Sequence, residues 1–274
     1  MEKHALTPAE AIQAVIANGR RILTQPLGRT FVLALLAGFY IAFGAQLTTV
    51  VTQDAAQWTG QGLARLLGGG VFSVGLMLVV VCGAELFTGN SLLAAAALHG
   101  AISWNKLLEN WAVVLLGNFV GALLMAWLLY ESNLWEMGAV AEQAVRIAAS
   151  KCKLSFEVAF VRGLLCNWLV CLAVVMATAA RDITGKFLAC FFPIMAFVTS
   201  GFEHSIANIY FIPEGILVAR ARGLVEPALN WDTFLWGNLL PVTLGNIVGG
   251  VVFVATAYWY VHAMGNNADG NKRA

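Results

Sequence analysis

Long apolar runs alternating with short polar connections dominate the chain. The apolar runs lie at about 30–51, 66–98, 107–130, 156–180, 187–219 and 233–262. A helix rises about 1.5 Å per residue and the hydrocarbon core is about 30 Å thick, so about 20 apolar residues suffice to cross it. Four of the runs have that length. The second and fifth are too long for one helix, and each is interrupted, by "GAELFTGNS" and by "SGFEHSIAN". The pattern predicts an all-α membrane protein of six spans whose second and fifth helices are broken.

Before the first span, "LTPAEAIQAVIANGRRIL" has a different period. Thr7, Pro8 and Glu10 form a capping box with proline at the first helical position, and Ala11, Ile12, Val15, Ile16, Ile22 and Leu23 recur at helical spacing. Residues 1–29 therefore read as an amphipathic helix at the membrane face, residues 30–264 as a six-span membrane domain, and residues 265–274 as a disordered tail. Residues 1–29 are too polar, with Arg20, Arg21 and Arg29, for a cleavable signal peptide.

Six spans put both termini on one side. With the N terminus inside, the inner segments carry Lys3, Arg20, Arg21, Arg29, Lys106, Arg181, Lys186, Lys272 and Arg273, against Arg65, Arg146, Lys151, Lys153, Arg220 and Arg222 outside. That bias favours cytoplasmic termini. The two halves also correspond. "GNFVG" at 117–121 and "GNIVG" at 245–249 lie 128 residues apart, in the third and sixth spans, and Asn90 and Asn208 close the two interruptions. Gly-x-x-x-Gly lets helices approach closely in lipid. Two three-span halves must insert with opposite orientation, so the expectation is a 3+3 inverted repeat with a substrate site at the paired breaks.

Polar residues at those breaks need a reason. Non-helical backbone survives at membrane depth only when buried in protein or lining a polar path, and ionisable groups there are functional candidates. Glu85 and Thr88 mark the first break, Glu203 and His204 the second. Glu203 is expected to hold its break in shape through backbone N–H groups, whereas His204 is expected to face the path.

Composition agrees with lipid as the solvent: 59% of residues are hydrophobic and 11% charged, with a mean hydropathy of +0.76. A net charge of +1 without a basic stripe excludes a nucleic-acid partner. Five cysteines, four of them in apolar runs, read as small core hydrophobes rather than a metal or disulfide set, and no cofactor is expected. A competing class is a membrane subunit binding haem or quinone. Of His4, His99, His204 and His262 only His204 lies deep, and no Cys-x-x-Cys-His occurs.

The motifs "GAELFTGN", "LLCNWLVCLAV", "SGFEHSIAN" and "LPVTLGNIVGG", in this order over about residues 10–262, resemble the formate–nitrite transporter family of bacterial and archaeal small-anion channels. The resemblance implies an aquaporin-like protomer with its own pore, assembled as a homopentamer in the cytoplasmic (inner) membrane, and no enzymatic activity. Carried over residue by residue, it implies a central pore histidine at His204 facing Thr88, a vestibule lysine at Lys151 with Lys153 nearby, and a fourth-span asparagine at Asn167. Apolar constrictions are implied at Phe72 with Phe197 on the external side, and at Leu76 with Leu86 toward the cytoplasm. "GFEHSIANIYFIPEGI" looks closer to the formate branches, and "ELFTGN" with "GLLCNWLVCLA" to the nitrite branch. Formate therefore ranks first, nitrite second and hydrosulfide third.

A bare anion crossing two dry constrictions faces a desolvation cost of several kcal/mol. Protonating an acid of pKa near ~4 at pH 7 costs about 4 kcal/mol. The expected course is attraction at Lys151, protonation near His204, and passage as the neutral acid. Direct anion permeation past a cationic histidine is the alternative.

Overall fold

The structure is a computed structural model that describes residues 5–264; the tail expected over 265–274 lies outside the described residues. The chain enters as α1 (Pro8–Leu23). Thr7 Oγ1 accepts from Glu10 N at 3.3 Å and Glu10 Oε2 accepts from Thr7 N at 2.9 Å, which closes the capping box. The apolar face of α1 is buried, in one cluster with residues of the 91–98 segment and of the fourth and last spans.

The first half follows. α2 (Leu27–Thr52) is a continuous span, and α3 (Ala55–Phe72) runs into α4 (Val74–Cys82) as the second. The second span starts before the apolar run at 66, because Gln57, Gln61 and Arg65 mask its first turns. The chain then unwinds over 83–86, with Gly83 in the left-handed region at φ 79°. It re-enters as α5 (Phe87–Asn90), a 3₁₀ turn (Ser91–Leu93) and α6 (Ala94–Leu98). α7 (Trp104–Glu131) completes the half.

The second half has the same order. Between the halves stands α8 (Val140–Cys152), a helix where a plain loop was expected; its mixed composition hides it from a hydropathy scan. Its face is held by small residues: a Cβ on Gly215 would collide with the Ala148 side chain. Then come α9 (Phe156–Ala179), α10 (Ile183–Ser200), a second unwound stretch over 201–204 with Gly201 at φ 77°, and α11 (Ser205–Arg222). The last span, Thr233–His262, contains α12 (Leu240–Gly250) and α13 (Ala257–His262), with π-helical turns at Thr233–Leu239 and Val251–Thr256. Among the described residues six helices are long and apolar enough to cross a membrane.

The Gly-x-x-x-Gly pairs sit where backbones touch. A Cβ on Gly121 would collide with the Leu35 carbonyl of α2, and one on Gly245 or Gly249 with the Phe160 or Leu164 carbonyl of α9. In lipid the association of such helices rests on this close packing. Gly121→Val and Gly245→Val are therefore expected to destabilise the protein by about 1–3 kcal/mol or more, read as a lower melting temperature in detergent. Gly28→Ala, at a position with nothing within 4 Å of the added Cβ, should melt like the parent.

Candidate functional site

Both breaks are written in one pattern, Gly-x-Glu followed five residues later by Asn: Gly83, Glu85 and Asn90, then Gly201, Glu203 and Asn208, offset by 118 residues. Each break exposes backbone groups that α-helix would have satisfied, and each is repaired by an asparagine from the middle of a Gly-Asn-x-Val-Gly motif. Asn118 donates to Glu85 O at 2.9 Å and to Ala34 O at 2.7 Å, and accepts from Phe87 N at 2.8 Å. Asn246 donates to Glu203 O at 3.0 Å and to Gly163 O at 2.7 Å, and accepts from Ser205 N at 2.9 Å. Unpaired, each such group costs several kcal/mol in lipid.

The carboxylates are repaired in parallel. Asn90 donates to Glu85 Oε2 at 2.8 Å and to Asn110 Oδ1 at 3.1 Å. Asn208 donates to Glu203 Oε2 at 2.6 Å and to Asn238 Oδ1 at 2.7 Å. The expectation that Glu203 is held by backbone N–H groups is corrected here, for four of the N–H groups around the break have other acceptors. Glu203 N donates to Arg162 O and Asn208 N to His204 O, Ser205 N to Asn246 Oδ1 and Ala207 N to His204 Nδ1. Its carboxylate instead receives Lys151 Nζ at 3.1 and 3.0 Å. The Lys151 and Glu203 side chains are only 14% and 5% exposed. Lys151 reaches Glu203 because it lies in the last turn of α8, and Asn238 on the first π-helical turn fixes the Lys151 carbonyl at 3.0 Å. Lys153 points elsewhere, to Glu226 at 3.3 Å on the surface.

His204 is the N-cap of α11. Its Nδ1 accepts from Ala207 N at 3.2 Å, so the neutral ring carries its proton on Nε2, which lies 3.0 Å from Thr88 Oγ1. The pair joins the two broken helices across the protein, with His204 3% and Thr88 0% exposed. A neutral ring in that tautomer is a hydrogen-bond donor but has no acidic proton to release. To become an acid it must first take a proton on Nδ1 and lose the cap. Asn167 braces the Thr88 side, donating to Thr88 O at 3.1 Å, Ser91 Oγ at 3.2 Å and Asn246 O at 2.6 Å. It lines neither of the two cavities described next.

These cavities approach the site from opposite ends. One, of about 410 Å³, is lined by Phe72, Phe197, His204, Lys151 and Glu203. The other, of about 400 Å³, is lined by Leu76, Leu86, Glu85 and Asn90 together with Arg21 of α1 and Lys186. The four apolar side chains Phe72, Phe197, Leu76 and Leu86 are all at most 3% exposed. Phe197 stacks on the His204 ring (centroids 6.0 Å, 17°) and meets Phe72 edge-on at 5.9 Å. Phe211, which sequence reasoning did not single out, stacks on Phe72 at 6.4 Å and lies under Lys151 Nζ at 5.4 Å. Asn110, Asn118, Asn238 and Asn246 were missed as well, although the Asn inside each Gly-Asn-x-Val-Gly motif was a visible signal.

A six-span protein with two broken helices meeting at a buried His–Thr pair is a transmembrane pathway protein by architecture. The comparisons give the family. The family model described as "Formate/nitrite transporter" matches residues 9–260, and the chain belongs to that family of channels and transporters. It is 43% identical over 273 residues to a "Probable formate transporter" of Methanothermobacter thermautotrophicus, covering 93% of this chain and 97% of the relative. It is 38% identical over 281 residues to "Formate channel FocA" of Escherichia coli (strain K12), covering 96% of each. Among solved structures it is similar to a "Pentameric formate channel with formate bound" (TM-score 0.77, 38% identity, 86% of this chain and 97% of that one). It is also similar to an "FNT family ion channel" (TM-score 0.80, 33% identity, 92% and 98%).

Removing one partner of a buried ion pair strands the other charge. Lys151→Met or Glu203→Gln alone is expected to destabilise the protein by about 3–5 kcal/mol, with the double variant recovering most of that loss. Thermal unfolding of the three variants in detergent checks this; additive losses would mean that the two side chains act independently.

Proposed function

We propose that the protein is a transmembrane channel for small monovalent weak-acid anions, formate first, which cross as the neutral acid. The observation that carries this reading is the Thr88–His204 bond, set in a wall of Phe72, Phe197, Leu76 and Leu86 between two cavities. The relatives named as formate channels support formate over nitrite and hydrosulfide. The similarity to a solved pentameric channel supports a homopentamer with one pathway per protomer. The matched repairs at the two breaks support a 3+3 inverted repeat. α1, within the N-terminal segment 1–29, then lies at the cytoplasmic face and residues 30–264 form the channel, with both termini cytoplasmic in a bacterial or archaeal inner membrane.

In this mechanism an anion enters the Lys151-side cavity and loses water against Phe72 and Phe197. Desolvation penalises the charged form and raises the pKa of the acid, which takes a proton from vestibule water. His204, capped on Nδ1, offers its Nε2–H to the substrate in place of Thr88, so it guides the acid rather than supplying the proton. Thr88, braced by Asn167, takes over on the far side, and the acid leaves past Leu76 and Leu86.

Purified protein in liposomes is expected to take up formate with acidification of the lumen, because the acid dissociates after crossing, and to exclude chloride. Formate flux that carries current without lumen acidification would sink the neutral-acid route, and nitrite flux exceeding formate flux would reorder the substrates. His204→Asn keeps both a cap acceptor and a donor, and should retain pH-dependent uptake. His204→Phe should lose about tenfold or more, the scale of one buried hydrogen-bond partner left unsatisfied. Uptake kept in His204→Asn but no longer pH-dependent would make the histidine the proton donor after all.

The two phenylalanine rings exclude hydrated ions in this scheme. Phe72→Ala with Phe197→Ala is expected to admit chloride, seen as conductance in bilayer recordings. A destabilised protein that stays closed would assign both rings to packing, with a loss of about 3–5 kcal/mol for each.

A further inference from the structure

Lys151, the expected anion receptor, is occupied: both Glu203 oxygens hold its ammonium, and the Phe211 ring lies beneath it. Together the pair contributes no net charge to the cavity in front of His204. That cavity is nevertheless positive. Its lining holds Arg65, Arg146 and Arg162 besides Lys151, and Glu203 is its one acidic residue. Among the described residues none of the three guanidinium groups lies within 4.0 Å of a carboxylate, and all three residues are exposed.

The arginines come from three helices, and the fold fixes where each is rooted. Arg146 on α8 donates Nη1 to Gln143 Oε1 at 3.0 Å, and Gln143 is tied in turn to Thr52 Oγ1 at 2.8 Å on α2. Arg162 on α9 sits opposite the break, its carbonyl accepting from Glu203 N at 3.2 Å. Arg65 on α3 faces α10, its carbonyl accepting from Thr199 Oγ1 at 3.4 Å. A guanidinium presents a planar fork of donors that matches two oxygens of a carboxylate or nitrite, and it keeps its charge at any physiological pH.

We infer that Arg65, Arg146 and Arg162 form the anion-capture subsite of this vestibule, taking a small planar oxyanion before it reaches His204, while the Lys151–Glu203 pair shapes the floor. This rests on the reading of the cavity as the mouth of an anion pathway. Like charges gathered in a cleft raise the local concentration of the opposite ion, and salt screens that effect. The Debye length falls from about 30 Å at 0.01 M to about 3 Å at 1 M ionic strength.

The test is formate uptake by the full-length protein in liposomes, with the three arginines changed together to Gln or together to Lys. At low ionic strength the Gln variant is expected to raise the half-saturating formate concentration about tenfold with the maximal rate unchanged, shrinking below about twofold at high salt. The Lys variant should recover the salt-dependent part of that loss, since the charge is kept, and retain only the part contributed by the lost fork. An unchanged half-saturating concentration in the Gln variant, a loss equal at both salt levels, or no recovery with Lys would overturn the assignment. Binding of isotope-labelled formate to the purified protein, followed by its line width, separates this from the functional reading. Broadening that disappears in the Gln variant and persists in the Lys variant supports the subsite even in a protein that moves no formate. Broadening that is the same in all three overturns it.

Discussion

The structure depends on one constraint: a backbone that leaves its helix inside a membrane must find new partners for every group it exposes. Two asparagines supply them. Asn118 and Asn246 each grip a break from both sides, accepting from the first N–H of the re-entering helix and donating to the glutamate carbonyl before it. Each also donates to a carbonyl of a third helix, Ala34 O or Gly163 O. Such a bond requires helix axes close enough for a short amide to bridge them, and this explains the flanking glycines. Gly117 and Gly121 bring α7 against α2, and Gly245 and Gly249 bring α12 against α9. Close packing and polar repair are therefore one device, encoded in five consecutive residues in each half.

Upon that shared framework the halves diverge in what sits beside the glutamate. At position two of the re-entry the first half places Leu86 and the second His204, each the N-cap residue of its helix. The first gives an apolar side chain, the second a polar ring. Lys151 pairs with Glu203 in the second half, whereas Glu85 shares its cavity with the more distant cations Arg21 and Lys186. Matching scaffolds thus carry unlike chemistry, and the polar pair where the two broken helices meet, Thr88 with His204, takes one residue from each half.

How much of this could be read from the sequence depended on range. The spans, the breaks and the capping box of Thr7 and Glu10 are local patterns of hydropathy and spacing, and they stood out. α8 did not, because a helix of mixed polarity between two spans has no hydropathy signal. Missing it left Lys151 in an expected loop and Glu203 without its actual partner. Phe211 was not singled out, since its stacking on Phe72 joins segments far apart in the chain. The asparagines were visible inside their glycine motifs, but their targets are carbonyls of unwound backbone, which no spacing rule identifies in advance. Arg65 and Arg146 were counted only as loop charges, and Arg162 was not counted, until three helices brought them to one cavity.

Local folding also decides the chemistry of the central ring. An N-cap side chain must accept a backbone N–H, and His204 meets that demand with Nδ1. The helix start therefore selects the tautomer, turning Nε2–H toward Thr88 and the path. A serine or aspartate would cap as well but would present no donor on the far side of a flat ring able to stack on Phe197. A protonated ring, conversely, would forfeit the cap and unsettle the start of α11, where Asn208 and Glu203 are tied to Lys151. The same bond that begins the helix thus opposes a proton on Nδ1, and the proposed guidance of an already neutral acid rests on it.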